Sequence, residues 1–175
     1  ILPKHGIGIY GDKSVTIWGD HPHVTDRASS ARSASGQDSV ALHIGIITEY
    51  YYPLLGGISE NVHHTAVELQ RLGHRVTVIT SRNPKALPEG LPAPGGVRVV
   101  RIGTRFTFQG NGAGACATRG GVGLWNELAH ELRTGGYDLL QLHSPLNFTL
   151  PPLGALLGRC PRVGTFHSVF DPNLV

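Results

Sequence analysis

The sequence has 175 residues, 40% of them hydrophobic, and a formal net charge of only +3 at pH 7. This length is enough for one domain with a buried core, and the small charge, without interleaved basic and aromatic residues, argues against nucleic-acid binding. Cys116 and Cys160 stand far apart without a CxxC partner, and no apolar run approaches the roughly 18 residues of a membrane span. We therefore expect a cytoplasmic protein with reduced thiols.

The first forty residues do not share the pattern of the rest of the chain. They contain a literal G-x-G-x-x-G at Gly6, Gly8 and Gly11, a motif that in nucleotide-binding proteins joins a strand to a helix. The following KSVTIWG alternates as a strand does, so a nicotinamide-dehydrogenase interpretation has little support. We predict that residues 1–40 are a flexible or extraneous segment in front of a domain at 41–175.

A strand–turn–helix–strand unit follows at residues 41–80. Residues 42–48 form an apolar, β-branched run that is typical of a buried parallel strand. Beyond a glycine pair, apolar residues recur at steps of three and four until Leu72, which predicts a helix, and a second apolar run begins at Val76. Since the helix is the crossover, the two strands should be parallel.

Gly56 and Gly57 stand at the predicted start of this helix. A helix start leaves backbone N–H groups unpaired and carries a partial positive charge, which suits an anion. Two glycines also let the backbone adopt positive φ and let a ligand approach without a Cβ in the way. A diphosphate site is therefore one hypothesis, and a tight turn without a ligand is the other.

The rest of the chain alternates strands and helices in the same way. Prolines predict a loop at 81–96, and glycines predict a long connection at 103–123. The periodicity predicts strands at 97–102, 139–142 and 163–166, and helices at 124–133 and 151–157. This alternation predicts an α/β fold, a Rossmann-like parallel sheet with helices on both faces.

Glu49, His143 and His167 each follow the end of a predicted strand. Because ligands of open parallel sheets bind outside the carboxyl ends of the strands, these side chains and the glycine pair predict a functional site at that edge. No metal site is predicted, because His21 and His23 lack cysteine or carboxylate partners at ligand spacing.

Four segments carry a family resemblance: IGIITEYYYPLLGGISENV, LGHRVTVIT, YDLLQLHSPLNF and VGTFHS. In order and spacing they are similar to the N-terminal half of family 4 retaining glycosyltransferases of the GT-B fold, and within that family to bacterial phosphatidylinositol α-mannosyltransferases. The resemblance covers residues 43–168. It implies the acceptor-side domain of a two-domain enzyme, without the C-terminal, donor-binding domain, so that this chain alone should be inactive.

The resemblance also implies roles for individual residues. Gly56 and Gly57 would bind the donor diphosphate through backbone N–H groups, and His143, as the catalytic residue, would hydrogen-bond the transferred sugar or the acceptor near the reacting centre. The residues expected on the acceptor side of the cleft are Tyr50, Tyr51, Asn61 and His167. Two positions depart from the family pattern, since Leu55 stands where a proline is common and Asn61 where a histidine is common.

The implied reaction is transfer of a sugar, with mannose suggested, from a nucleotide-diphosphate sugar such as GDP-mannose to a lipid or carbohydrate acceptor. No other cofactor is implied. The resemblance further implies a location at the inner face of the membrane with peripheral contact, for which the available cations are Arg98, Arg101, Arg105 and Arg119. The alternative is a non-catalytic Rossmann-like module that binds a phosphorylated ligand.

Overall fold

The computed structural model describes residues 7–10, 13–18, 40–83, 94–110, 113–145 and 149–167. Most of the glycine motif near the start of the chain, His21 and His23, and most of the predicted proline-rich loop lie outside these residues.

The described residues form a single mixed sheet with three helices. The strands are β1 (Ile7–Tyr10), β2 (Lys13–Trp18), β3 (His43–Ile47), β4 (Arg75–Arg82), β5 (Arg98–Gly110), β6 (Ala113–Arg119), β7 (Leu139–His143) and β8 (Arg162–Thr165). The helices are α1 (Gly57–Arg71), α2 (Gly121–Thr134) and α3 (Leu150–Leu157), with a 3-10 turn at Pro94–Gly96. The predicted Rossmann-like α/β fold is confirmed.

The strand order is β1-β2-β8-β7-β3-β4-β5-β6. The pairs from β8 through β7, β3 and β4 to β5 are all parallel, whereas β1, β2 and β6 add antiparallel pairs at the two ends of the sheet. The chain enters the parallel part at β3, extends it on one side with β4 and β5, and then returns to the other side with β7 and β8. The order therefore reverses between β3 and β7, which is where such sheets bind ligands.

Both faces of the sheet are covered by helices because alternate side chains of the central strands point to opposite faces. On one face, Val62 and Ala66 of α1 pack against Ile44 and Ile46 of β3. On the other face the core cluster combines residues of β3, β4, α2, α3 and neighbouring strands: Ile47, Ile79, Ile102, Leu124, Leu128, Leu140, Leu142 and Leu150. The two half-cores fix the register of β3.

The predicted long connection at 103–123 is wrong. The structure instead extends β5 to Gly110 and pairs it with β6 as an antiparallel hairpin, in register from Thr104 opposite Arg119 to Gly110 opposite Ala113. Threonine and phenylalanine favour strands, and the intervening glycines concealed that pattern. The hairpin adds a wall to the carboxyl edge of the sheet.

Part of the N-terminal segment belongs to the sheet. The alternating KSVTIW forms β2, as its pattern suggested, and pairs antiparallel with β8 from Val15 opposite Thr165 to Trp18 opposite Arg162. The prediction that residues 1–40 are flexible or extraneous does not hold for these strand residues. Nearly all the other residues of the segment lie outside the part of the chain that the structure describes.

His43 is a buried polar residue at the first position of β3. Its Nε2 is hydrogen-bonded to the Thr77 hydroxyl at 2.9 Å, and its Nδ1 lies 3.2 Å from the carbonyl oxygen of Gly136. Burial lowers the pKa of His43 from its usual 6.5, and the neighbouring Arg75 cation lowers it further. The imidazole is therefore neutral in the folded protein at pH values where the unfolded chain is protonated.

We expect the free energy of unfolding to fall as the pH drops below about 6.5, because the unfolded chain then binds a proton that folded His43 resists. Replacing His43 by glutamine should reduce this pH dependence and lower stability by about 1–3 kcal/mol at pH 8, through imperfect pairing of buried partners. Urea unfolding between pH 5 and 8 measures both effects. Equal slopes for His43→Gln and wild type would contradict the assignment.

Candidate functional site

The predicted site residues gather at the carboxyl edge of the sheet, on both sides of the point where the strand order reverses. Glu49 follows the end of β3, His143 is the last residue of β7, and His167 follows the end of β8. Since β7 lies between β3 and β8 in the sheet, parallel pairing alone brings the three residues to the same edge.

Glu49 is a buried carboxylate that connects three elements. It accepts hydrogen bonds from the backbone N–H of Leu150, the first residue of α3, at 2.7 Å, and from the Thr118 hydroxyl of β6 at 2.5 Å. Burial raises the pKa of Glu49, while these hydrogen bonds and the charge of Arg105 oppose the rise. Glu49 thus joins the end of β3 to the hairpin and to the start of α3.

Arg105 supplies the positive charge near Glu49. Its guanidinium is buried and donates to the Ser81 hydroxyl at 3.1 Å and to the carbonyl oxygen of Tyr51 at 3.4 Å. Burial lowers the pKa of Arg105, and the Cys116 and Glu49 groups oppose this effect. Arg105 is therefore part of the interior, which corrects its place among the cations expected at a membrane surface.

His143 and His167 form a hydrogen-bonded pair. The Nδ1 of His143 lies 2.7 Å from the Nε2 of His167, and the two rings are stacked with centroids 5.0 Å apart and planes inclined by 20°. His143 is only 1% exposed. One nitrogen of the pair must donate and the other accept, so each imidazole restricts the tautomer and orientation of its neighbour.

Gly56 and Gly57 are exposed and lie at the start of α1, which no side chain caps. Neither residue has a left-handed φ, because Gly56 is extended (φ 164°) and Gly57 is the first helical residue. A Cβ placed on either glycine would meet no heavy atom within 4 Å. The expectation of positive φ is thus wrong, and neither backbone conformation nor packing within the described residues requires glycine here.

The glycines open into a cavity of about 380 Å³ between the start of α1 and the hairpin, which we name the α1 cavity. It is lined by Tyr50, residues 54–59, Thr107, Ala115 and Cys116. The backbone N–H of Cys116 donates to the hydroxyl oxygen of Tyr50 at 3.3 Å, so this tyrosine fixes the hairpin against the loop that follows β3.

The structure separates the residues that were expected to form one cleft. Tyr50 lines the α1 cavity, but Tyr51 is completely buried, with its hydroxyl hydrogen-bonded to Nδ1 of His63 at 3.1 Å. Tyr51 therefore belongs to the core, which corrects its expected place on the acceptor side of the cleft. Asn61 is half-buried on α1 outside the α1 cavity, and the His143–His167 pair does not line that cavity either.

Thr107, Cys116 and Ser59 line the α1 cavity without having been predicted to do so. The first two were missed because the hairpin was interpreted as a loop. Ser59 was predicted only to begin the helix, and no role in a site was given to it. Its position two residues after Gly57 nevertheless places it in the first helical turn, next to the predicted anion site.

Within the part of the chain that the structure describes, no group of three His, Cys, Asp or Glu side chains is arranged to hold a metal ion. None of the helices described is both long enough and apolar enough to cross a membrane.

Comparison with known proteins gives consistent matches. The sequence model of the family described as Glycosyltransferase Family 4 matches residues 55–174. The phosphatidyl-myo-inositol mannosyltransferase of Mycobacterium tuberculosis is 31% identical over 141 residues, covering 76% of this chain and 33% of the relative. The enzyme of the same name from Mycolicibacterium smegmatis is 27% identical over 134 residues, with 76% and 32% covered. The chain thus spans about a third of the length of these relatives.

The hydrogen bonds of Glu49 predict a strong dependence of stability on this residue. Glu49→Ala should lower the free energy of unfolding by about 3–5 kcal/mol, because it leaves the N–H of Leu150 without its buried acceptor and removes the negative charge near the buried Arg105 cation. Thr118→Val removes one hydrogen bond and should cost about 1 kcal/mol. Urea denaturation of both variants measures the difference, and a Glu49→Ala loss as small as that of Thr118→Val would contradict this role.

Proposed function

Because the chain belongs to glycosyltransferase family 4, we propose that it is the acceptor-side domain of a retaining glycosyltransferase. The proposed enzyme moves a sugar from a nucleotide-diphosphate sugar to a lipid or glycan acceptor. The observation that carries this proposal is the glycine pair at the uncapped start of α1, at the ligand-binding edge of the sheet.

The glycine pair supports binding of the donor diphosphate. An added Cβ would point into open space, so a side chain at these positions would conflict only with something that enters from outside the described residues. The N–H groups at the start of a helix, together with the helix dipole, stabilise an anion that approaches closely. A diphosphate at Gly56 and Gly57 uses both features.

In the proposed reaction the bond from the anomeric carbon to the phosphate oxygen breaks, and the acceptor hydroxyl oxygen attacks the same face. The proton of that hydroxyl passes to the leaving diphosphate, so the configuration is retained and no separate protein base is required. Negative charge develops on the diphosphate as its bond to the sugar breaks. Backbone N–H groups that already point at it stabilise this charge without reorganising.

His143 is the residue that we assign to the transferred sugar, as the catalytic residue of the cleft. Its position at the end of β7, beside the reversal of strand order, supports this role, as does the hydrogen bond that fixes its ring. Tyr50, Asn61 and His167 are proposed to lie on the acceptor side. The diphosphate would enter through the α1 cavity.

The names of the relatives suggest the substrates. They are called phosphatidyl-myo-inositol mannosyltransferases, and we propose mannose, carried by GDP-mannose, as the sugar and an inositol phospholipid as the acceptor. Such an acceptor implies action at the cytoplasmic face of a membrane. The donor-binding domain is proposed to lie outside this chain, which spans a third of the relatives.

The function is tested by sugar transfer. We expect the complete gene product to transfer mannose from GDP-mannose to phosphatidylinositol with retention, as determined by NMR of the product, and this chain alone to transfer none. Transfer by the isolated chain would contradict the missing donor domain. A complete gene product that binds GDP-mannose but transfers to no acceptor would instead favour the non-catalytic module.

Gly57→Val tests the glycine pair in the complete gene product. The valine side chain would occupy the open space at the first residue of α1, and we expect kcat/KM for the nucleotide sugar to fall about 100-fold, as when a preorganised donor is lost. Gly123→Val is the matched control, since Gly123 also lies near a helix start with no heavy atom within 4 Å of an added Cβ. Equal activities of the two variants would refute a diphosphate at Gly57.

A further inference from the structure

Ser59 is a buried residue whose hydroxyl has no partner in the described part of the protein. It is the third residue of α1, is 1% exposed, and lines the α1 cavity together with Gly56 and Gly57. Among the residues described, no group forms a hydrogen bond with its Oγ. Buried hydroxyls nearly always have a partner, so this one requires an explanation.

The position of Ser59 indicates which kind of group could accept a hydrogen bond from its hydroxyl. Its own backbone N–H belongs to the first turn of α1, where N–H groups lack acceptors within the helix. Ser59 therefore shares the first turn of α1 with unpaired donors at the positive end of a helix, and its hydroxyl can itself donate. An anionic oxygen bound at the start of α1 would be an acceptor that suits both kinds of donor.

The surroundings favour such an anion. Leu54, Ile58 and Ala115 contribute apolar groups to the cavity wall, and a hydrogen bond to a charged group is stronger in apolar surroundings than in water. The carboxylate nearest in sequence, Glu60, does not line the cavity, and it accepts a hydrogen bond from the Tyr52 hydroxyl at 2.6 Å.

We propose that the Ser59 hydroxyl donates a hydrogen bond to a phosphate oxygen bound at the start of α1. This inference rests on the proposed function and adds to it a side chain that binds the phosphate. The phosphate has two conceivable sources, the diphosphate of the nucleotide sugar and the phosphodiester of a phospholipid headgroup, and Ser59 serves the same chemistry in both.

The test compares Ser59→Ala with Thr80→Val in the complete gene product. Thr80 also has a buried hydroxyl without a partner among the described residues, but it lies on β4 and does not line the α1 cavity. Because each variant removes an unpaired buried hydroxyl, we expect both to raise the melting temperature by roughly 2–4 °C. This shared gain controls for effects on folding.

Binding separates the two variants. Dissociation constants are measured by calorimetry for two probes, GDP and the soluble headgroup compound glycerophosphoinositol. We expect Ser59→Ala to weaken one of them about tenfold, the usual effect of losing a hydrogen bond to a charged group, and Thr80→Val to weaken neither. A loss confined to GDP assigns the nucleotide diphosphate as the source, and a loss confined to glycerophosphoinositol assigns the headgroup.

Unchanged affinities for both probes in Ser59→Ala, with GDP binding still lost in Gly57→Val, would overturn the role of Ser59 and leave the proposed function standing. Equal losses in Ser59→Ala and Thr80→Val would also overturn it, because the effect would then be general. If the wild-type protein bound neither probe and transferred no sugar, the proposed function itself would fail.

Discussion

The buried carboxylate of Glu49 holds the carboxyl edge of the sheet together. A helix that starts beside a sheet exposes N–H groups, and α3 directs one of them, on Leu150, at Glu49, while the hairpin contributes the Thr118 hydroxyl. Burying this carboxylate is costly unless its oxygens are paired. Because the partners come from β6 and α3, the cost is offset only when both elements are in place, so the interaction specifies how they pack.

The carboxyl edge of the sheet, which Glu49 holds together, gives the candidate site a rigid side and an open side. On the rigid side the His143–His167 pair is held by parallel pairing of β7 with β8 and by the hydrogen bond between the rings. On the open side the start of α1 has exposed glycines, no side-chain cap and a neighbouring cavity. Such a division would suit the proposed sugar transfer, in which groups that orient a sugar would have to be fixed and a diphosphate would need room to enter.

Sequence periodicity was sufficient for the parallel sheet and for the edge at which His143 and His167 meet, since both follow from counting strands and helices. It was insufficient for the hairpin, because the glycines of β5 and β6 indicate loops when considered one at a time. The same limit applies to Tyr51: it looks equivalent to Tyr50 in the sequence, yet only the folded chain shows that one ring enters the core and the other faces the cavity. Arg105 was misplaced for the same reason, since its buried partners are distant in sequence.

Open space beside two glycines and a buried hydroxyl without a partner among the described residues occur together at the start of α1. At Gly56 and Gly57 the protein leaves space that neither its backbone conformation nor its packing requires, and at Ser59 it leaves a buried hydroxyl without a partner among the described residues. At the same edge, by contrast, the buried side chains of Glu49 and Arg105 are both hydrogen-bonded. Open space suits a bulky group, and unpaired N–H and O–H donors suit an acceptor. A phosphate would satisfy both requirements, whereas a tight turn without a ligand would leave the Ser59 hydroxyl unpaired, and this is the physical argument for the proposed binding site at the helix start.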